Sequence, residues 1–353
     1  MEMNDRIFDD NNELMAGKGP HSGIAITTRV RLARNLEERR FPTHPDQSDR
    51  QNVLEEIKAA ILSLPDGYKY IWHELDREGL LDRRLLMERH LISRELADGN
   101  GPRAVAVNPE ESLAVMVNEE DHLRMQCIIS GLSVQEAYRR VNQLDDRLSE
   151  RLAFAFDPFY GYLTSCPTNV GTGLRVSVML HLPALVMTRH IEKVFRAVYE
   201  MRMTVRGFYG EGTEAFGELY QISNQITCGR SEADIIDDME AVIAAIIKYE
   251  EKAREELATS ERSKLEDRVW RSWGLLRNAR LMTSEEAMRH LSSLRLGVVM
   301  GVFDRLDLPK VQRLFLNTQP AHLQRIEGRM LESNDRDVAR AAYIRTELGA
   351  DAN

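Results

Sequence analysis

LRVSVMLHL, residues 174–182, sets Leu174, Val176, Val178, Leu180 and Leu182 on alternate positions and stops at Pro183. Apolar residues at period two make a strand with one buried side. Immediately upstream, Ser165-Cys166-Pro167-Thr168-Asn169-Val170-Gly171-Thr172-Gly173 crowds small, hydroxylated and glycine residues into a tight polar turn. Downstream, helical spacing runs from about Ala184 to Met201. Residues 201–224, MRMTVRGFYGEGTEAFGELYQISN, put β-like ends around Gly207, Gly210, Gly212 and Gly217, which reads as a mobile loop. A long helix follows from Ser231 to about Ser260, with Ile235, Ile236, Met239, Val242, Ile243, Ile246 and Ile247 on one stripe. Beyond it every run is helical, and Thr283–Glu286 reads as a capping box. Towards the N-terminus, GIAITT (23–28) reads as a strand running into RVRLARNL. Residues 47–64, 82–97 and 133–154 have helical spacing, and 103–107 and 113–118 form a hairpin around Asn108-Pro109. The pattern predicts an α+β part and a small all-α part, divided near 258–265, behind a mobile stretch at 1–21.

The length, 353 residues, allows two domains. Hydrophobic residues at 43%, charged residues at 29% and a mean hydropathy of −0.40 describe a globular chain able to bury a large core. No stretch is apolar enough to span a bilayer, and the acidic N-terminus lacks a signal-peptide pattern. Net charge is −9, which argues against a nucleic-acid binder. Three cysteines, Cys127, Cys166 and Cys228, suggest no disulfide framework and fit a reducing, cytoplasmic setting. Only 8 of the 47 cationic residues are lysine. Coding bias explains that, or function uses guanidinium groups.

Five features could carry chemistry. Arg29 and Arg31, two apart in a strand, share a face and repel unless an anion lies between them; the plain alternative is a solvated edge. Asn118-Glu119-Glu120-Asp121-His122-Leu123-Arg124 reads either as a helix start with first-turn acids or as a carboxylate base beside a phosphate-binding arginine. Cys166, flanked by hydroxyls, reads as a stabilised thiolate or as a buried structural thiol. Arg175, within an apolar strand, needs a partner that its sequence neighbours do not supply. Arg206-Gly207-Phe208-Tyr209-Gly210-Glu211-Gly212-Thr213-Glu214 reads as a closing lid or as a plain hairpin with a long tip. Together they offer five arginines and two or three carboxylates on separate segments, a set suited to a magnesium–polyphosphate ligand.

TTRVRLARNL, NEEDHLR, CPTNVGTGLR and VRGFYGEGTE resemble, in order, the signature segments of the phosphagen (guanidino) kinases over residues 22–255. Arg336-Asp337-Val338-Ala339-Arg340-Ala341 matches the RDxxRA motif of bacterial protein-arginine kinases of the McsB type, which extends the likeness over nearly the whole chain. The N-terminal helical domain of creatine and arginine kinases has no counterpart. The resemblance implies an antiparallel sheet flanked by helices at 22–258, then a helical domain at 259–353 for dimerisation and phosphoarginine binding.

The same resemblance implies roles for single residues. Arg29, Arg31, Arg124, Arg175 and Arg206 would clamp nucleotide phosphates. The nucleotide site would comprise Thr27, Thr28, Arg29, Val30 and Arg31, then Arg175, Val176, Ser177, Val178 and Met179, then Arg206, Gly207, Phe208, Tyr209, Gly210 and Glu211, with His90 beside the adenine. Glu120 and Glu211 would hold and deprotonate the guanidinium, with Cys166 nearby, and Glu119 would face Mg²⁺ through water. Arg336, Asp337 and Arg340 would line an allosteric phosphoarginine pocket. Tyr209 stands where arginine kinases carry a phosphate-contacting arginine, and Met179 where they carry a nucleotide-contacting histidine. Both departures turn the expectation from free arginine towards protein arginine, with ATP and Mg²⁺ as cofactors. The implied setting is cytoplasmic protein quality control by a homodimer that marks clients for ClpC–ClpP and acts on a CtsR-type repressor. The alternatives are a small-guanidino phosphagen kinase and a non-catalytic phosphoarginine-binding adaptor.

Overall fold

The computed structural model describes residues 13–14, 16–42, 46–65, 69–207, 215–303 and 306–349. Its centre is an eight-stranded sheet, antiparallel throughout. The strands are β1 (Ala25–Arg34), β2 (Ile71–Glu74), β3 (Ala104–Val107), β4 (Leu113–Val117), β5 (Leu123–Ser130), β8 (Leu174–His181), β9 (Met203–Gly207) and β10 (Leu219–Asn224). They lie in the order β2-β3-β4-β5-β1-β8-β10-β9, so β1 is hydrogen-bonded to β5 on one side and β8 on the other. A short ribbon, β6 (Phe156–Asp157) with β7 (Gly161–Tyr162), lies apart.

Strand alternation decides what each face does. Thr28, Val30 and Leu32 of β1 face the same way as Met125, Cys127 and Ile129 of β5 and Val176, Val178 and Leu180 of β8. This face packs against α1 (Gln47–Leu62), α4 (Val134–Ser149), α5 (Pro183–Met187), α6 (Ile191–Glu200) and α7 (Glu232–Ser260), and it forms the main core. The opposite face carries Arg29 and Arg31, Arg124 and Gln126, Arg175, Ser177 and Met179. At the β2–β4 end that face is covered by α2 (Leu80–Glu88) and α3 (Arg94–Asp98), with Leu86, Leu91 and Leu96 in a second core.

The helical part comprises α8 (Arg262–Asn278), α9 (Ser284–Val299), α10 (Leu308–Asn317), α11 (Pro320–Ile326) and α12 (Ser333–Glu347) around its own core of Leu291, Leu294, Leu314 and Ile344. The Thr283–Glu286 capping box is present. Two buried polar seams join this part to the sheet. The Glu88 carboxylate at the end of α2 accepts from the Ala321 and His322 amides (2.8 and 3.0 Å) and from His322 Nδ1 (2.7 Å). Arg295 of α9 donates to His181 Nδ1 (2.8 Å) and to the Gly23 and Ser22 carbonyls, while His181 Nε2 meets Ser292 Oγ at 2.9 Å.

Several expectations from sequence change in detail. The helix expected over 82–97 breaks at His90, whose φ is +60°, and restarts when Ser93 caps α3. The helix expected over 184–201 divides at Arg189, also at φ +60°. The helix from 133 ends at Ser149, because Phe154 bridges to Leu36 instead. Of the segment 1–21, the described residues pack on the body: Leu14 is buried, and the Lys18 amide donates to Ser130 Oγ at 3.2 Å.

Candidate active site

Four strands deliver the five sequence-flagged arginines to one open cleft of about 740 Å³, a volume in the range of small-molecule sites. Arg29 and Arg31 come from β1, Arg124 from β5, Arg175 from β8 and Arg206 from β9. Register sets the spacing: Arg31 lies opposite Arg175, Arg29 opposite Ser177, and Ala33 opposite Arg124. Arg29 Nη2 donates to Gln221 Oε1 at 3.0 Å. Arg31 has no hydrogen-bond or ion-pair partner among the described residues, and its Nε is buried.

Like charges so placed are uncomfortable. Burial, then the charges of Arg124 and Arg175, pull the Arg29 guanidinium down to about 10. Arg31 lies well below its ordinary value through burial and through Arg29, Arg124 and Arg175; Arg175 is lowered by burial, Arg206 and Arg124. Glu119 opposes the shift at both β1 arginines. A polyanion in the cleft would relieve all three.

NEEDHLR forms the turn between β4 and β5, with Asn118 at φ +58°, so the helix-start alternative is set aside. Its residues divide by task. Glu119 pairs with Arg124 at 2.5 Å and accepts from Ser93 Oγ, while Glu120 lies 3.3 Å from Arg124 Nη2 and is 41% exposed. Asp121 and His122 are scaffold. Asp121 Oδ1 accepts from Asn35 Nδ2 (2.7 Å) and from the Ser165 amide (2.6 Å). His122 Nδ1 accepts from the Leu36 amide, so the proton is on Nε2, which donates to the Arg40 carbonyl.

Through Asp121 the Cys166 turn is fixed beside Glu120. Pro167–Asn169 make a single 3₁₀ turn, and Gly173 then crosses β1 at φ +64°, where a Cβ would lie 2.6 Å from the Ala33 carbonyl. Cys166 Sγ is 3.0 Å from Thr168 Oγ1, and both Cys166 and Glu120 line the cleft. Burial, opposed by Arg124 and reinforced by Asp121 and Glu119, raises the Glu120 carboxyl above its ordinary value. A half-exposed carboxylate of raised basicity beside a cationic cleft is placed to accept a proton.

The other expected nucleotide residues divide by strand parity. Thr27, Arg29, His90, Ser177 and Met179, with Gln221, wall a narrow slot next to the cleft. His90 is pushed down to about 3 by burial and by Arg29, so its ring is neutral. The side chains of Thr28, Val30, Val176 and Val178 do not reach the cleft. They point to the opposite face, all 0% exposed, and Thr28 Oγ1 donates to the Gly131 carbonyl at 2.7 Å. A contiguous run cannot line a site with all its side chains from one strand, because alternate ones leave by the other face. Gly207 ends β9. Phe208, Tyr209, Gly210 and Glu211, and with them the expected lid, lie outside the described residues.

Sequence reasoning missed Ser93, which holds Glu119, Gln221, which holds Arg29, and Arg50, Arg103 and Asn169 in the cleft wall. Ser93 had a readable signal as the cap of α3.

Arg336, Asp337 and Arg340 lie on α12, and none lines the cleft. Arg340 is 1% exposed; its guanidinium donates to the Thr318 and Met282 carbonyls (2.9 and 2.8 Å) and to Asp337 Oδ1 (2.6 Å). Arg336 donates to the Leu331 carbonyl at 2.8 Å. A solvated i, i+4 face does not describe them.

Comparison with known proteins gives the family. The C-terminal catalytic domain of ATP:guanido phosphotransferases matches residues 52–253, and the C-terminal domain of protein-arginine kinase McsB matches residues 262–353. A protein-arginine kinase of Symbiobacterium thermophilum is 45% identical over 99% of this chain and 100% of its own length. That of Bacillus subtilis is 42% identical over 100% of this chain and 98% of its own. Among solved structures, a duplicated taurocyamine kinase of Schistosoma mansoni with bound transition-state-analogue components superposes with a TM-score of 0.60 at 28% identity. The match covers 67% of this chain and 34% of that one. A lombricine kinase superposes at 0.58 with 23% identity over 65% of this chain and 66% of its own, a likeness of fold.

Proposed function

Since this chain belongs to the ATP:guanido phosphotransferase family, in its protein-arginine kinase branch, we propose that the five-arginine cleft carries that branch's reaction. The γ-phosphoryl group of ATP passes to a terminal nitrogen of an arginine side chain in a protein. Convergence of Arg29, Arg31, Arg124, Arg175 and Arg206 beside Glu120 is the observation that carries this reading.

The obstacle is the acceptor. A guanidinium titrates near 12.5 or above, so its nitrogens are protonated and weakly nucleophilic. Glu120 binds it in the plane, aims one nitrogen at phosphorus and takes the proton that nitrogen loses as the N–P bond forms and the bond to ADP breaks. Glu211 is expected from the family likeness to supply the second carboxylate. The arginines hold the equatorial phosphoryl oxygens, where charge is spread in a loose transition state. Cys166, in the cleft wall with Glu120, plays a supporting part and forms no covalent intermediate.

Mg²⁺ suits the donor set. Among the described residues no group of three or more His, Cys, Asp or Glu forms a metal cage. Nucleotide-borne Mg²⁺ needs no such cage, since it keeps phosphate and water ligands and takes one or two carboxylates. Glu119 would hold it through water. When bound, the ion would neutralise charge between the β- and γ-phosphates.

Further roles rest on the family likeness. They are the phosphoarginine pocket at Arg336, Asp337 and Arg340 with an allosteric effect, a homodimer, a cytoplasmic stress response, delivery of clients to ClpC–ClpP and action on a CtsR-type repressor. Removing arginine's charge would weaken such a repressor on DNA. The test is transfer of acid-labile ³²P from ATP to an unstructured arginine-rich protein, with mass-spectrometric localisation. Phosphate on arginine of the protein, and not on free arginine, is expected. Labelling of free arginine alone would return the small-guanidino reading, and no transfer the adaptor reading.

A further inference from the structure

Along the cleft face, the slot walled by Thr27, His90, Ser177 and Met179 lies away from Arg31 and Arg175. A second cavity adjoins it, with His90 and Met179 in the walls of both. The far side of this cavity belongs to the helical part: Met288 of α9, and Gln312, Phe315 and Leu316 of α10. The lining is almost wholly apolar, and Gln312 is out of character there. It is 2% exposed, and neither its Oε1 nor its Nε2 has a hydrogen-bond partner among the described residues. Buried amides nearly always find partners, and one that lacks them carries its full desolvation cost. The acid in the cavity wall, Glu88, is already committed to the Ala321 and His322 amides and the His322 ring. Gly17, at φ +60°, packs close against the amide oxygen: a Cβ there would lie 2.5 Å from Gln312 Oε1.

With the triphosphate on the arginines, the base at the other end of the nucleotide extends into this slot. Apolar walls suit its faces, and its edge needs a partner. A primary amide sets one acceptor beside one donor, which matches the N6 amine beside a ring nitrogen on adenine. We propose that Gln312 reads the edge of the adenine, so that the helical part completes the nucleotide site and selects the base. This rests on the nucleotide reading given above. The cavity and the slot hold about 40 and 20 Å³, room for water rather than a purine. Met179 and Met288 therefore swing aside on binding, which unbranched thioethers do readily.

The full chain is assayed for phosphorylation of a protein substrate with ATP and with purine riboside 5′-triphosphate, which lacks only the N6 amine. The wild type is expected to show kcat/KM at least about tenfold higher with ATP. In Gln312→Met, which keeps the volume and removes the amide, that ratio is expected to fall to about one, with a melting temperature no lower than wild type. Absence of discrimination in the wild type overturns the proposal without recourse to a variant, and so does a ratio that survives in Gln312→Met, as it would if Gln312 merely held water. Arginine phosphorylation with ATP in either of those cases leaves the reaction reading intact. A wild type that transfers nothing from ATP overturns both.

Discussion

Arg31 and Arg34 lie three residues apart on β1 and meet opposite surroundings. Arg31, on the cleft face, has burial and three like charges, which Glu119 only partly offsets, and no ion-pair partner among the described residues. Arg34, on the helix face, donates to Asp145 of α4 at 2.7 Å and lies 3.5 Å over the ring of Tyr162. The same division holds elsewhere. Arg254 is paired with Glu250 at 2.8 Å and Arg340 with Asp337, whereas Arg29 and Arg175 have only an amide or a hydroxyl. These scaffold arginines are ion-paired within the fold, whereas among the described residues Arg124 alone of the five cleft arginines has carboxylate partners, and the others are left for a ligand to pair. Carboxylates follow suit, with Asp145 enclosed at 7% exposed and Glu120 open at 41%.

Substitutions that separate the two classes test this contrast. The largest effect is expected at the open carboxylate: Glu120→Gln should lower kcat by about 10²–10⁴-fold, the usual worth of a proton acceptor, with unfolding by denaturant unchanged. Retained activity would place the base elsewhere. Arg34→Met should do the reverse, leaving Asp145 buried without its partner and costing about 3–5 kcal/mol of stability in urea titrations. A loss below about 1 kcal/mol would remove the distinction between the faces. Arg31→Met should lower kcat/KM about 100-fold, about 3 kcal/mol in the barrier. Its melting temperature should match or exceed wild type, since a desolvated charge and its repulsions are gone. Cys166→Ala should cost no more than about tenfold, read by steady-state kinetics; a trapped thiol adduct would contradict a supporting role. The smallest effect is on pH. Because Glu120 is raised above the ordinary glutamate value of 4.5, its basic form is lost as pH falls through a point above that value. The acid limb of kcat/KM should lie there, and it should vanish in Glu120→Gln.

Much of this contrast could be read in the sequence, and its gaps have physical causes. The alternation of 174–182 disclosed a strand, and the spacing of Arg29 and Arg31 disclosed a shared face, because both signals are local. Thr28, Val30, Val176 and Val178 turn their side chains to the core, which a reading of whole runs does not separate from their cleft-facing neighbours. His90 and Arg189 broke two expected helices by taking a left-handed backbone, which histidine favours only weakly and arginine does not announce. Gln221 holds Arg29 from 192 residues away, and Ser93 reaches Glu119 across 26. Such partners appear only when strand order is known. Gln312 is the extreme case, a glutamine on an apolar helix whose meaning depends on a cavity made with a distant sheet.

The place of β1 between two paired neighbours has a consequence for how this chain folds. A shift of one residue against β5 and β8 would exchange the two sides of the strand. Arg29 and Arg31 would be driven among the leucines and valines under α4, and Val30 and Leu32 would be stranded in the cleft. Two unpaired cations in an apolar interior cost far more than the chain's net stability. The charges that serve the phosphates therefore also forbid the wrong alignment, and a single-residue deletion within β1 should abolish folding outright.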